Sequence, residues 1–238
     1  LPNTTQQVSV KTALIVGASR GLGCAIAAEF LKRGWHVIGT VRGYERTQLH
    51  DLASEADGRL TIETLDINSA DQIAALRARL AGTRIDLLFV NAGTTTRDPV
   101  AQIDAVTDAE FLDVMHTNAL SPMRVIEALQ DLVPDTGLIG AMSSGQGSIG
   151  NNEQGMREAY RASKAALNML LRCFAARERE HPRPMALIAP GWIRTDLGGD
   201  KAPYTLEETV PLIVDVLIAK RDRPGIEYLD RFGETVPW

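Results

Sequence analysis

Tyr160 and Lys164 stand four residues apart in the run Tyr160-Arg161-Ala162-Ser163-Lys164. The segment from Glu158 to His181 holds no glycine or proline, and Pro182 stops it, so a long helix is expected there. On a helix that spacing puts both side chains on one face. A phenol with a pKa of about 10 is a poor base at pH 7, and bringing it down by about 3 units takes about 4 kcal/mol of differential stabilisation. A neighbouring ammonium is one source of that stabilisation. Upstream, Leu138 to Met142 reads as a buried strand that runs into Ser143-Ser144-Gly145. A hydroxyl there either donates to a substrate oxygen while the tyrosine moves a proton, or simply makes a turn.

A further chemical element comes from a helix that opens with Thr107 and Glu110 in capping-box spacing and runs through Asn118 to about Leu132. Pro122 lies inside it and has no amide hydrogen, so the carbonyl four residues back, that of Asn118, loses its helical partner. A buried water beside Lys164 is the natural replacement, and it gives Tyr160 a proton outlet. Read without further context, Pro122 is a structural kink.

A second cluster suits phosphate. After a strand from Ala13 to Val16 come Gly17-Ala18-Ser19-Arg20-Gly21-Leu22-Gly23 and then an apolar helix to Lys32. Glycines let backbone turn tightly and approach a pyrophosphate held at the helix amino end. The next strand ends Gly39-Thr40-Val41-Arg42, with no carboxylate placed to bond ribose hydroxyls. Arg42 and Arg20 suit a 2'-phosphate instead, which favours NADP(H), although Glu45 stands nearby. Asp66 and Ile67 close the third strand, where Asp66 fits either an adenine amino group or the N-cap of a helix starting near Ser69. Asn91-Ala92-Gly93 ends the fourth strand with small residues, as backbone passing close to a ligand requires.

The elements that must position these groups form one pattern. Strands are expected at Ala13 to Val16, His36 to Val41, Leu60 to Leu65, Asp86 to Val90, Leu138 to Met142, Met185 to Ile188 and Ile226 to Tyr228, with amphipathic helices between them. Right-handed crossovers then give a single-domain, doubly wound α/β fold of the Rossmann type, with seven parallel strands and helices on both faces. Ligands of such sheets lie at the carboxyl ends of the strands, where every motif above falls. The loop from Asp196 to Tyr204 is the best candidate for a substrate lid.

Bulk properties narrow the function. A chain of 238 residues with 45% hydrophobic content suits one domain, residues 1–238, with residues 1–10 as an N-terminal extension. A net charge of -5 argues against a nucleic-acid binder. Leu1 to Lys11 is polar and lacks the apolar stretch of a signal peptide, so no secretion is expected. Ala13 to Val41 is broken by Glu29, Lys32 and Arg33, so no membrane span is expected either. Cys24 and Cys173 lack metal or redox spacing and read as buried apolar thiols in a reducing cytoplasm. His36, His50, His116 and His181 show no ligand spacing, so no metal is expected.

Together, five motifs in order from about Lys11 to the end resemble the short-chain dehydrogenase/reductase family. The Gly-x-x-x-Gly-x-Gly spacing is that family's. Ser143 to Ile149, Tyr160 to Asn168 and Pro190 to Gly199 are similar to its sniffer and C-factor branch, which implies carbonyl reduction and, in some members, developmental signalling. The resemblance implies that Asn118, Ser144, Tyr160 and Lys164 are catalytic, with Ser144 the active serine and Lys164 also binding ribose. It implies that Asn91-Ala92-Gly93 lines the cofactor and that Pro190-Gly191-Trp192-Ile193-Arg194-Thr195 holds the nicotinamide carboxamide, with Trp192 either lining the substrate cleft or packing. The spacing from Ser144 to Tyr160 exceeds the family's usual one, so residues 151 to 158 read as a small insertion beside the site. Helices apolar on more than one side fit either core or the family's usual dimer or tetramer interface. The expected activity is NADPH-dependent reduction of an aldehyde or ketone. An NAD-dependent alcohol dehydrogenase and a low-turnover NADP(H)-binding sensor are the alternatives.

Overall fold

In a computed structural model, residues 10–180 and 183–238 are described. The first nine residues of the expected extension, together with residues 181 and 182, lie outside them. The strands are β1 (Thr12–Val16), β2 (His36–Val41), β3 (Leu60–Thr64), β4 (Leu87–Val90), β5 (Leu138–Met142), β6 (Pro184–Ala189) and β7 (Gly225–Asp230). They form one parallel sheet in the order β3-β2-β1-β4-β5-β6-β7. The chain leaves β1 for β2 on one side and returns from β3 to place β4 on the other, which opens a crevice at the carboxyl ends of β1 and β4.

The strands β4, β5 and β6 are buried at every residue, because helices cover both faces and no polar alternation is needed. Pro184 opens β6, a place where its missing amide costs no ladder bond. The helices are α1 (Gly21–Lys32), α2 (Gln48–Ser54), α3 (Ala70–Arg79), α4 (Asp108–Met115), α5 (Ser121–Leu129), α6 (Glu158–Arg177) and α7 (Leu206–Lys220). One core layer joins Ile26, Phe30 and Ile213 of α1 and α7 to Ile15, Phe89 and Ile188 of the sheet. The opposite layer joins Val125, Leu167 and Leu171 of α5 and α6 to Leu88, Ile139 and Leu187.

Three expectations need correction. The helix from Thr107 does not run through Asn118 as one α-helix: α4 and α5 are separated by a π turn over His116–Leu120, and Ser121 N donates to the His116 carbonyl five residues back. The perturbation set by Pro122 is therefore absorbed by widening the helix one turn upstream. Helix α6 ends at Arg177, short of His181. Cys173 is exposed rather than buried, and Cys24 is half-buried. On α6 the inward stripe is Tyr160, Ser163, Lys164, Leu167, Leu171 and Phe174, and Cys173 falls off it.

Candidate active site

A cleft of about 930 Å³ runs along the carboxyl ends of the strands. Gly17, Ser19, Arg20, Gly21, Leu22, Arg42, Asp66, Ile67, Asn91, Ala92, Gly93, Ser144, Tyr160, Lys164, Pro190, Gly191, Ile193 and Thr195 all line it. Of the four residues expected to be catalytic, Asn118 alone does not. It is fully buried in the wall behind the cleft.

The glycine loop is shaped from below. Gly17 adopts φ +85°, and a Cβ on it would lie 2.8 Å from Ala92. A Cβ on Gly23 would lie 2.1 Å from the Gly17 carbonyl oxygen, so that turn of α1 closes only around a hydrogen. Thr40 Oγ1 accepts from Gly17 N at 2.9 Å, and Asn91 Nδ2 donates to the Gly17 carbonyl at 3.0 Å. The loop is thus tied to both neighbouring strands, by Thr40 in β2 and by Asn91 just past β4. Thr40 escaped the sequence reading because threonine inside a strand is unexceptional.

At the mouth, no side chain caps the amino end of α1, although Gly21 N lies 3.3 Å from Gln48 Oε1. Arg42 is exposed and makes no ion pair among the described residues. Arg20 is already paired with Asp196 on the opposite lip. Asp66 is not the cap of α3: Ser69 takes that place, accepting from Gln72 N at 3.3 Å, while Asp66 Oδ1 accepts from Asn68 N at 2.9 Å. A helix amino end without a bond from its own N-cap side chain, a glycine floor and an unpaired guanidinium fit a phosphate-bearing dinucleotide.

The chemical end is drier. Tyr160 is 7% exposed and Lys164 3%. Burial pushes the Tyr160 phenol above its ordinary value, while the Arg157 guanidinium and the Ser144 hydroxyl pull it back. Lys164 Nζ donates to the Met142 carbonyl at 2.9 Å and lies 5.7 Å from the Tyr160 ring centroid. Burial brings its pKa down to about 8. The cation that tempers Tyr160 in the protein alone is therefore Arg157 rather than the expected lysine.

Ser144 follows β5 and opens a short 3-10 turn over Gly145–Gly147. Its Oγ accepts from Gln146 N at 3.2 Å, which leaves the hydroxyl hydrogen to give. The Ser144 carbonyl accepts from the Tyr228 hydroxyl on β7. Beneath it, Ser143 Oγ donates to Asn168 Oδ1 at 2.6 Å. The Asn118 carboxamide spans the wall: Oδ1 accepts from Thr94 N at 2.7 Å, and Nδ2 donates to the Thr94 carbonyl and to Ser163 Oγ, both at 2.9 Å.

The segment after β6 forms a compact loop. Thr195 Oγ1 accepts from Gly198 N at 3.1 Å, and the Trp192 indole donates to the Gly198 carbonyl at 2.7 Å. Trp192 lines the cleft at 51% exposure, so its ring is available to ligand as well as packed by its own loop. Residues 151 to 157 form an irregular loop rather than an extension of α6, and Gln154, Met156 and Arg157 from it line the cleft. No cluster of three metal-ligating side chains occurs among the described residues. No helix among them is long and apolar enough to cross a membrane.

Known proteins are similar to this chain in sequence and in fold. A Burkholderia multivorans short-chain dehydrogenase/reductase solved with bound NADP is 61% identical and superposes with a TM-score of 0.95, covering 96% of this chain and 100% of that one. The carbonyl reductase Sniffer of D. melanogaster is 27% identical with a TM-score of 0.86, over 96% and 100%. The 1-hydroxy-2-glutathionyl-2-methyl-3-butene dehydrogenase of Rhodococcus sp. (strain AD45) is 32% identical over 80% of this chain and 81% of its own length. C-signal of Myxococcus xanthus is 31% identical over 65% and 93%. The short chain dehydrogenase family model matches residues 11–204. With that match laid over a parallel sheet whose carboxyl edge gathers the glycine loop, Ser144, Tyr160 and Lys164, the chain belongs to the short-chain dehydrogenase/reductase family.

Proposed function

We propose that this protein is an NADPH-dependent reductase of aldehydes or ketones. The observation that carries the reading is geometric: Ser144, Tyr160 and Lys164 line one cleft, with the phenol buried and Lys164 Nζ 5.7 Å from its ring centroid. The NADP bound by the Burkholderia multivorans relative and the unpaired Arg42 support the choice of cofactor.

When bound, the nicotinamide supplies the hydride. The chain's own residues do the rest. Ser144 turns its hydroxyl hydrogen toward the substrate oxygen, its lone pairs being engaged by Gln146 N. Tyr160 delivers the proton to that oxygen. Lys164 holds one hydrogen bond to Met142 and keeps two N–H groups for ribose and for proton return. Asn118 acts from behind, through Thr94 and Ser163, to hold the end of β4 against α6.

We further propose that the chain assembles as a homodimer or homotetramer through the groove between α4 and α6. Leu112, Leu120 and Met169 are 64%, 43% and 61% exposed there and line one apolar surface. Two free thiols support a cytoplasmic site of action. The activity is tested by following NADPH and NADH oxidation across aldehydes, ketones and quinones. Turnover with NADPH on at least one carbonyl class is expected. NADPH binding without turnover would leave a cofactor sensor, and a preference for NADH would reverse the cofactor assignment.

A further inference from the structure

Arg157 is the least explained residue in the cleft. Gly155, Met156 and Arg157 enter α6 with φ of 63°, 54° and 55°, three consecutive left-handed residues of which only the first is glycine. Side chains rarely sit there without a compensating role. The turn delivers the Arg157 guanidinium onto the Tyr160 ring, 4.6 Å from its centroid. Nη2 reaches Thr95 Oγ1 at a long 3.4 Å, and Nε is shut off from solvent with no partner. Among the described residues no carboxylate pairs with it. Its neighbour Glu158 is engaged elsewhere, accepting from Ile103 N at 2.8 Å. Arg161, one turn on, lines the same wall with its Nε held by the Met156 carbonyl at 2.9 Å.

A half-buried guanidinium stacked on the Tyr160 ring without an anionic partner is costly unless the bound state supplies an anion. We propose that Arg157 is a substrate-anchoring residue, and that the carbonyl compounds this enzyme takes carry a carboxylate close to the reacting carbon. This rests on the reductase reading above. The planar fork of arginine matches a carboxylate. Stacking on Tyr160 fixes the cation within reach of a group adjoining the carbonyl whose oxygen Tyr160 protonates.

The test separates binding from turnover. Benzoate and neutral benzamide are titrated by calorimetry into the NADP-loaded protein, in wild type, Arg157→Lys and Arg157→Gly. Glycine accepts the left-handed backbone of this position, so that variant keeps the fold. Wild type is expected to prefer benzoate by about tenfold or more, the worth of one charge-assisted hydrogen bond. Arg157→Gly is expected to lose the preference and Arg157→Lys to keep part of it. No preference in wild type, or one that survives in Arg157→Gly, overturns the proposal. Phenylglyoxylate and its methyl ester are then compared as substrates. If benzoate binding depends on Arg157 and neither these compounds nor any aldehyde, ketone or quinone of the panel is reduced, the anion site stands and the reductase reading fails. If acid and ester are reduced equally well, the reductase reading stands and the anchor falls.

Discussion

Asn118 and Thr94 form a closed two-way clamp: the asparagine carboxamide accepts from the Thr94 amide at 2.7 Å and donates to the Thr94 carbonyl at 2.9 Å. A third bond, to Ser163, makes this one buried group the tie between the end of β4 and helix α6. A Cβ on Gly93 would stand 3.2 Å from Asn118 Oδ1 and 3.4 Å from Lys164 Nζ, so the clamp and the lysine share one tight corner.

Asn118→Ala removes three hydrogen bonds at once, two to the part-buried Thr94 backbone and one to the buried Ser163 hydroxyl. At about 0.5–1.5 kcal/mol net for each of these bonds, the variant should lose roughly 2–4 kcal/mol of stability. Urea unfolding measures this, and a change within about 0.5 kcal/mol, typical of a surface substitution, would contradict the clamp.

Lys164 gives a pH signature. In the fold its ammonium titrates near 8, whereas in the unfolded chain it titrates near ~10.4. Between those values the unfolded chain holds more protons, so stability rises with pH across that window, and below it the buried charge costs stability. Without cofactor, wild type should gain about 2 kcal/mol relative to Lys164→Met between about pH 7.5 and 10. A stability difference that stays flat with pH would show that the lysine is not desolvated.

Arg42 and Arg20 should contribute unequally to the cofactor phosphate. Arg42 makes no ion pair among the described residues, whereas Arg20 must first leave Asp196. Arg42→Ala is expected to weaken NADPH binding by about tenfold or more while leaving NADH affinity unchanged, and Arg20→Ala to have a smaller effect. Fluorescence titration with both cofactors reads this directly. Equal losses for NADPH and NADH would remove the phosphate role.

The sheet was legible in the sequence because strands buried on both faces read as unbroken apolar runs, and β2 and β5 fall where those runs fall. The cleft was legible because its glycines and its Tyr-Lys pair carry local spacing. What was not legible depends on distant partners. The Asn118 clamp joins residues 24 positions apart, and the Tyr228 bond to the Ser144 carbonyl joins residues 84 apart. Pro122 announced a disturbed helix, but the π turn at His116–Leu120 is a packing solution that the proline alone does not dictate. Arg157 was hidden because nothing in its neighbours predicts a left-handed arginine. Asp66 read as a possible cap of a helix starting near Ser69, and the bond from Gln72 N gives that place to Ser69 itself.

The central claim is that Tyr160 is the proton donor of a carbonyl reductase, and Tyr160→Phe tests it most directly. With NADPH and a carbonyl that wild type reduces, turnover should fall by about 10²-fold or more, within the range general acid catalysis supplies, while NADPH affinity stays close to that of wild type. Turnover unaffected by the loss of this one hydroxyl would contradict the account.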